Sequence, residues 1–260
     1  SIYMYKYERS RTLVESMTKM MDIFKKNNIR TIFVFDGKPD ENKRALIDQR
    51  RCHKDDIRRK SEELYLNADK MEDGEERDKI LNDAKKIRKQ CVYITAEKVN
   101  TVKKLIESYD NTEIIDAVGE ADGICASLVI KKKAWACLSD DTDMFIYGCP
   151  RVIRCLNIYN SSCILYRTFD IFAMLNMSHQ EFKQMCVLCG TDYNLDQKNS
   201  DKNSIDSMKN LFVMYKMHNQ QQKHQKYKTN TVTFYDWVVD VKPNISIPNY
   251  SVFERVINMF

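Results

Sequence analysis

The stretch IRTIFVFDG, residues 29–37, decides how the rest of the chain is interpreted. From Ile29 to Phe35 it is dominated by apolar and β-branched residues, which is typical of a strand buried in a parallel sheet. The run ends at Asp36 and Gly37, a turn-forming pair. Because functional sites of open parallel sheets form outside the carboxyl ends of the strands, Asp36 is the first candidate site residue.

The elements after this strand predict an α/β protein with a central, mainly parallel sheet flanked by helices. Thr112–Ala117 and AWACL (134–138) are further strand candidates, and EADGICASLVIK (120–131) has the apolar face of a helix. The remaining predicted elements are helices over 12–27, 169–176 and 179–189, a strand or strand pair over 152–156, and a charged helical stretch from Pro39 to about Lys89.

Composition excludes several classes of protein. The 260 residues are 43% hydrophobic and 30% charged, with a net charge of +5, as in an ordinary folded domain. No run of about 18 apolar residues predicts a membrane span. The chain opens without a secretory signal and without Met, so we expect a fragment.

Nine cysteines are scattered through the chain, and only Cys186 and Cys189 have a CxxC spacing. Without a second pair they favour buried core thiols over a metal or redox site. An odd number of free thiols indicates a reducing, intracellular compartment. The sequence leaves open whether that is a nucleus or a viral replication site in the cytoplasm.

Acidic residues concentrate at the predicted element boundaries. Six carboxylates come from four segments: Asp36, Glu120, Asp122, Asp141, Asp143 and Asp192. Close carboxylates require cations to remain ionised, and their hard oxygen atoms suit Mg²⁺ or Mn²⁺. Such ions activate water against phosphodiesters, so the pattern indicates metal-assisted hydrolysis. Each acid taken singly also fits a helix cap or a turn.

Four ordered motifs carry a resemblance to a known family: VFDGKP (34–39), GEADGICA (119–126), LSDDTDMFIYG (138–148) and CGTDY (189–193). Together they resemble the flap endonuclease family of structure-specific 5′ nucleases, which has a PIN-like nuclease fold. The resemblance implies that the six carboxylates bind two divalent ions, usually Mg²⁺, with Mn²⁺ as a substitute. Asp140 lies at a position that is acidic in many members and is not counted as a ligand.

The basic segment after Pro39 also resembles the family. The resemblance places Lys43 and Arg50 at the base of a helical gateway, or arch, over residues 40–90, where they face the scissile phosphate. Seven residues apart, they share one helix face. Further arginines of the same helix could line a channel for a 5′ single strand, or form a solvated basic face: Arg44, Arg51, Arg58 and Arg59.

Two departures from the family pattern give expectations of their own. The opening SIY resembles the residues that the family has just after a further upstream acid, so we expect an N-terminal truncation. Residues 193–212 contain no Gly, whereas the family has a Gly-rich helix–two-turn–helix there. We therefore divide the chain into a nuclease core, 1–193, split near residue 90, and a divergent helical region, 194–260. The divergence and Asn-rich composition suit a large DNA virus or an A/T-rich parasite.

The resemblance implies a 5′ flap endonuclease and 5′–3′ exonuclease acting on DNA with a 5′ flap or a single-stranded 5′ end. Its role would be in replication, repair or recombination. Replication-clamp or repair partners are typical of the family, although no clamp-binding Q-x-x-[IL]-x-x-[FY]-[FY] pattern occurs here. Two alternatives stay open: a nuclease-fold protein that binds DNA or a replication partner without cutting, and a 5′–3′ exoribonuclease.

Overall fold

A computed structural model describes residues 2–10, 12–39, 41–191, 204–224, 232–241, 248 and 250–260. The chain divides into two compact units. The first unit comprises Ser1–Cys125, Leu138–Asp141 and Ile153–Ile164, and the second comprises Ala126–Cys137, Thr142–Val152 and Leu165–Phe260. Among the described residues, no helix is long and apolar enough to cross a membrane.

The secondary structure alternates helices and strands, which confirms the α/β prediction. The strands are β1 (Thr31–Phe35), β2 (Thr112–Asp116), β3 (Cys137–Leu138), β4 (Arg151–Asn157) and β5 (Ser162–Arg167). The helices are α1 (Ile2–Arg9), α2 (Leu13–Lys26), α3 (Arg44–Ala68), α4 (Glu75–Arg88), α5 (Ala96–Glu107), α6 (Ala121–Ile130), α7 (Asp143–Ile146), α8 (Thr168–Leu175), α9 (His179–Cys189), α10 (Ile205–His224), α11 (Phe234–Val241) and α12 (Tyr250–Met259). A 3₁₀ turn, Glu41–Lys43, precedes α3.

The parallel pair β1–β2 positions the acidic residues of the first unit. Thr31 is paired with Thr112, and the register continues to Phe35 opposite Asp116. Both strands end at the same edge, so the residues that come after Phe35 and Asp116 leave the sheet side by side. The other strands form a separate sheet in the order β3–β4–β5.

The core of the first unit is rich in methionine. Helices α1, α2 and α5 contribute most of it, because their apolar residues recur at helical spacing on one face. Its buried members are Met4, Tyr7, Leu13, Met17, Met20, Met21, Val102, Ile106, Leu156 and Ile158. The partly buried residues Phe33 and Phe35 of β1 pack against this cluster, which fixes the strand that ends at Asp36.

Helices α3 and α4 form an antiparallel hairpin where the sequence predicts an arch. The buried Ser61 hydroxyl donates to the Ala84 carbonyl oxygen at 3.0 Å, and Ala68 and Ala84 are fully buried between the helices. At the open end, the Lys54 ammonium group donates to the Val92 carbonyl oxygen at 3.1 Å. The part of α3 from Arg44 to His53 precedes this pairing.

The second unit has an aromatic core built by α9, α10, α11 and α12. Helix α9 matches its predicted bounds and begins with a capping box, in which Ser178 and Glu181 satisfy each other's backbone N–H groups. The buried aromatic side chains of the cluster are Phe212, Tyr215, Phe234, Tyr235, Trp237 and Phe253. The sequence predicts a helical C-terminal region, and α10–α12 are its described helices.

Three elements differ from the sequence prediction. Only Cys137 and Leu138 of the predicted strand 134–138 are paired. Strand β5 was not predicted, since its side chains are mostly exposed and carry little periodic signal. The sequence also has an apolar pattern over residues 84–105. This pattern belongs to two helices, because α4 ends at Arg88 and α5 starts at Ala96, where the Thr95 side chain accepts a hydrogen bond from the Lys98 amide.

Candidate metal centre

The loop after β1 is bonded directly to the loop after β2. The Gly37 amide donates to the Gly119 carbonyl oxygen at 2.7 Å, and the Lys38 amide donates to the Val118 carbonyl oxygen at 3.0 Å. One carboxylate oxygen of Asp36 accepts from the Ala121 amide, the first of α6, at 3.0 Å. Asp36 therefore lies against the helix start that carries Glu120 and Asp122.

Gly37 makes this close approach possible. A Cβ atom at Gly37 would lie 2.1 Å from the Ala117 carbonyl oxygen and 2.4 Å from that of Val118. Both obstacles are backbone atoms, which cannot rotate away as a side chain would. The Gly of the VFDG motif is therefore required by the packing of two loops.

The pKa of the Asp122 carboxyl group depends on its burial and on the neighbouring carboxylates. Burial first, and then the charges of Asp141, Asp36 and Glu120, raise the pKa of Asp122 to about 6. Three segments of the first unit thus bring four carboxyl groups close enough to act on one another. The structure brings together these four of the six predicted metal ligands.

Asp141 reaches the centre from the loop after β3. The Ser139 amide donates to the Ile153 carbonyl oxygen at 3.0 Å, which continues the β3–β4 pairing by one residue. The Asp141 amide then donates to the Ser139 hydroxyl oxygen at 3.1 Å. The loop that carries Asp141 is therefore held by hydrogen bonds on both sides of Asp140.

Lys43 forms a half-buried ion pair with Glu120. Its ammonium nitrogen lies 2.8 Å from one Glu120 carboxylate oxygen and 2.9 Å from the other. The two side chains are only 13% and 22% exposed, so water screens the pair weakly. Sequence reasoning selected both residues but not this contact, which neutralises part of the charge of the centre.

The donor set fits a hard divalent cation in its chemistry. All four groups are carboxylates, and the pKa of Asp122 is raised first by burial and then by the charges of the other three. Across the part of the chain that the structure describes, however, no three Asp, Glu, His or Cys side chains converge closely enough to ligate a metal ion. Cation binding here would have to draw the carboxylates together and take Glu120 from Lys43.

The structure does not test the two other predicted metal ligands, Asp143 and Asp192. Asp143 is the first residue of the short helix α7 in the second unit. Asp192 lies outside the described residues, and α9 ends just before it at Gly190 with φ +102°. Metal ligation by Asp143 and Asp192 stays a prediction from the sequence.

The predicted phosphate-binding residues lie on the hairpin. Arg50 is an exposed residue of α3, seven positions after Lys43. Arg58 pairs with Asp55 at 3.5 Å, and Arg59 pairs with Asp56, each one turn away on the same helix. Arg44 and Arg51 are exposed on the same helix. DNA binding by these arginines stays a prediction.

The CxxC pair behaves as buried thiols. Burial raises the pKa of Cys186 to about 12 and that of Cys189 to about 11, so neither is a thiolate at neutral pH. All nine cysteines fall within the described residues, and none forms a disulfide. These findings favour the interpretation of the pair as core residues.

Comparisons with known proteins agree with the fold and the motifs. Residues 111–192 match the family described as the XPG I-region. Flap endonuclease 1 of Methanococcus aeolicus is 31% identical over 169 residues, covering 65% of this chain and 48% of that protein. Flap endonuclease 1 of Zea mays is 30% identical over 168 residues, 64% of this chain and 41% of that protein. The chain thus spans about half or less of these relatives.

A solved structure shows the same fold. The catalytic core of Rad2 in complex with DNA substrate superposes with a TM-score of 0.62 at 18% identity, covering 98% of this chain and 76% of that one. The chain is therefore an α/β protein with the fold of the Rad2 catalytic core. The sequence matches show that residues 111–192 resemble the XPG I-region and that about two thirds of the chain is similar to flap endonuclease 1 proteins.

Proposed function

We propose that this chain is a divalent-metal-dependent 5′ flap endonuclease and 5′–3′ exonuclease that hydrolyses DNA in replication, repair or recombination. The observation that carries the proposal is that the charges of Asp36, Glu120 and Asp141 act on the buried Asp122 carboxyl group, with Lys43 paired to Glu120. The similarity to flap endonuclease 1 proteins and to the XPG I-region supports the same reaction class.

In this proposal the carboxylates hold two Mg²⁺ ions, for which Mn²⁺ can substitute. The bound ions would supply an activated water and stabilise the charge of the leaving oxygen. Asp36, Glu120, Asp122 and Asp141 provide oxygen ligands from the first unit. Asp143 and Asp192 complete the proposed set, as the sequence motifs indicate.

Lys43 and Arg50 have the proposed role of phosphate-stabilising residues. The Lys43 ammonium group already lies at the acidic centre, where an incoming phosphate would offer it a second anionic partner. Arg50 has the planar guanidinium group that binds a phosphate with two parallel hydrogen bonds. Arg44, Arg51, Arg58 and Arg59 would guide the 5′ single strand along α3.

We propose DNA with a 5′ flap or a single-stranded 5′ end as the substrate. The Rad2 structure, which contains a DNA substrate, supports this choice. Replication-clamp or repair partners are proposed from the resemblance to flap endonucleases alone. A reducing intracellular compartment, in a nucleus or a viral replication site, is proposed from the free cysteines.

The test is cleavage of a 5′-labelled flap DNA by this chain, with Mg²⁺ and with EDTA. We expect cutting that requires Mg²⁺ and that Asp36→Ala and Asp141→Ala each reduce by at least about 10²-fold, with flap binding retained. Arms with flap RNA separate a deoxyribonuclease from an exoribonuclease. Cutting that survives both substitutions would disprove the site assignment.

One observation favours a second candidate, a nuclease-fold protein that binds DNA without cutting. Glu120 is engaged by Lys43, and within the described ranges no three potential ligands stand ready for a metal ion. This candidate predicts tight flap binding, no cleavage with Mg²⁺ or Mn²⁺, and no effect of Asp141→Ala on binding.

A further inference from the structure

Asp140, in the SDDTD loop, has a carboxylate that is hydrogen-bonded to the backbone of a neighbouring strand. One of its carboxylate oxygens accepts from the Cys155 amide of β4 at 2.6 Å. Its backbone carbonyl oxygen accepts from the Arg154 guanidinium group at 2.7 Å. All of these residues belong to the first unit, as does Asp141.

The partner of this bond, Cys155, has an uncommon backbone. Its φ is +55°, in the left-handed region that non-glycine residues adopt infrequently, although it lies inside β4. A left-handed residue within a strand turns its N–H group out of the regular ladder. The Asp140 carboxylate accepts a hydrogen bond from that N–H group and so stabilises the irregularity.

The same carboxylate acts on helix α1. Burial first, and in addition the charge and side-chain hydrogen bonding of Asp140, raise the pKa of Tyr3. The Tyr3 hydroxyl oxygen accepts from the Leu156 amide, one residue after Cys155, at 3.3 Å. Asp140 therefore lies where the SDDTD loop, the irregular part of β4 and α1 meet.

We propose that Asp140 is a positioning residue that latches the loop carrying Asp141 to β4 and thereby fixes the Asp141 carboxylate in the acidic centre. The inference rests on the proposed function, because it assigns Asp140 a role in metal binding by its neighbour. The latch acts through hydrogen-bond geometry, and Asp140 does not ligate the metal ion. Loss of such a supporting contact typically weakens metal binding about 10- to 100-fold.

Two variants separate geometry from charge. Asp140→Asn keeps an acceptor oxygen for the Cys155 amide but removes the charge, whereas Asp140→Ala removes both. Mn²⁺ titration of the 260-residue chain should give Asp140→Asn an affinity within about threefold of the wild-type value. The affinity of Asp140→Ala should be about 10- to 100-fold weaker than the wild-type value. Amide hydrogen exchange at Cys155 and Asp141, followed by NMR without metal, should stay slow in wild type and Asn and become at least about tenfold faster in Ala.

Each outcome decides the proposal. If Asp140→Asn bound Mn²⁺ as weakly as Asp140→Ala, Asp140 would act through its charge and not through the latch. If a folded Asp140→Ala variant kept the wild-type Mn²⁺ affinity, the latch would be dispensable. If the Asp140→Ala variant does not fold, two other results would each overturn the proposal. One is fast hydrogen exchange of the Cys155 amide in the wild-type chain, and the other is a loss of Mn²⁺ affinity in the Asp140→Asn variant. Mn²⁺ binding without flap cleavage disproves the proposed function alone, while the exchange data still test the latch.

Discussion

The acidic centre and the α3–α4 hairpin both belong to the first unit, but they are stabilised in different ways. The centre is positioned by backbone hydrogen bonds of 2.7 and 3.0 Å between two loops, and by a glycine that leaves no room for a Cβ atom. The hairpin is held by two buried alanines and a few side-chain contacts, and its arginines remain at the surface.

This difference matches the two tasks proposed for the regions. Metal ligands must be held within fractions of an ångström, so they extend from paired strand ends and tightly packed loops. A surface that guides a polyanion needs charge more than fixed geometry. The comparison predicts that substitutions at the centre alter stability and metal binding steeply, whereas those on the hairpin act weakly.

The largest effect on stability is expected for Gly37→Ala. The added Cβ atom would meet the carbonyl oxygens of Ala117 and Val118 at 2.1 and 2.4 Å. We expect the free energy of unfolding, measured by urea denaturation, to fall by about 2–3 kcal/mol. The matched control is Gly74→Ala at the start of α4, where the new atom would meet nothing within 4 Å. If Gly74→Ala lowered the free energy of unfolding as much as Gly37→Ala, the predicted difference between the two glycines would be wrong.

The next largest effect concerns Lys43. Lys43→Met removes the cation that is paired with Glu120, so Mn²⁺ affinity should rise about threefold to tenfold. Flap cleavage should nevertheless fall about 10²-fold, because charge stabilisation of the phosphate is lost. Lys38→Met, at an exposed lysine of the same segment, serves as the control for the metal titration. A decrease in Mn²⁺ affinity in the Lys43 variant would argue against competition for Glu120.

The third effect is the pH dependence of metal binding. The pKa of Asp122 is raised to about 6, so a proton competes with the cation below that pH. Mn²⁺ affinity should fall up to about tenfold per pH unit below 6 and level off above 7. Asp122→Asn should bind more weakly and with a flatter profile.

The raised pKa of Asp122 also makes the stability of the metal-free chain depend on pH, and this stability decreases as the pH rises. The folded chain binds the Asp122 proton more tightly than the unfolded chain does. Stability gained from this group is therefore present at low pH and lost as the pH rises through about 6. Urea denaturation of wild type and Asp122→Asn across that range should converge at low pH. Divergence at low pH instead would contradict the assignment.

The smallest effects are expected on the hairpin. Ser61→Ala leaves the Ala84 carbonyl oxygen without its buried donor and should cost about 1 kcal/mol of unfolding free energy. Arg59→Ala removes an exposed ion pair with Asp56 and should cost less than about 0.5 kcal/mol. Flap affinity of Arg59→Ala should drop modestly and lose part of its salt dependence. A stability loss above that of Ser61→Ala would show that the arginine is structural.

The sequence allowed much of the centre to be predicted, because parallel strands place their carboxyl ends at one edge. Asp36 after β1 and the Glu120–Asp122 pair after β2 are consequences of that rule once the strands are recognised. The helix α9 was predictable because its cap and its apolar face coincide. Each of these signals is local, and local signals survive in a single sequence.

Contacts between residues that are far apart in the chain could not be predicted from the sequence. Lys43 and Glu120 lie 77 positions apart, and nothing in either segment specifies their pairing. The motif separates Asp141 from Asp140, but the hydrogen bond from the left-handed Cys155 to Asp140 could not be predicted from the sequence. Strand β5 contains the apolar run Cys163–Tyr166 without an alternating pattern, and its residues are mostly exposed.

The central claim is that four carboxylates from three segments form one divalent-cation centre. Anomalous diffraction from crystals of the chain grown with Mn²⁺ tests it most directly. We predict a Mn²⁺ peak bounded by Asp36, Glu120, Asp122 and Asp141, with Glu120 turned from Lys43 toward the ion. The account would be contradicted by crystals whose Mn²⁺ peaks all lie elsewhere while the Lys43–Glu120 ion pair stays intact.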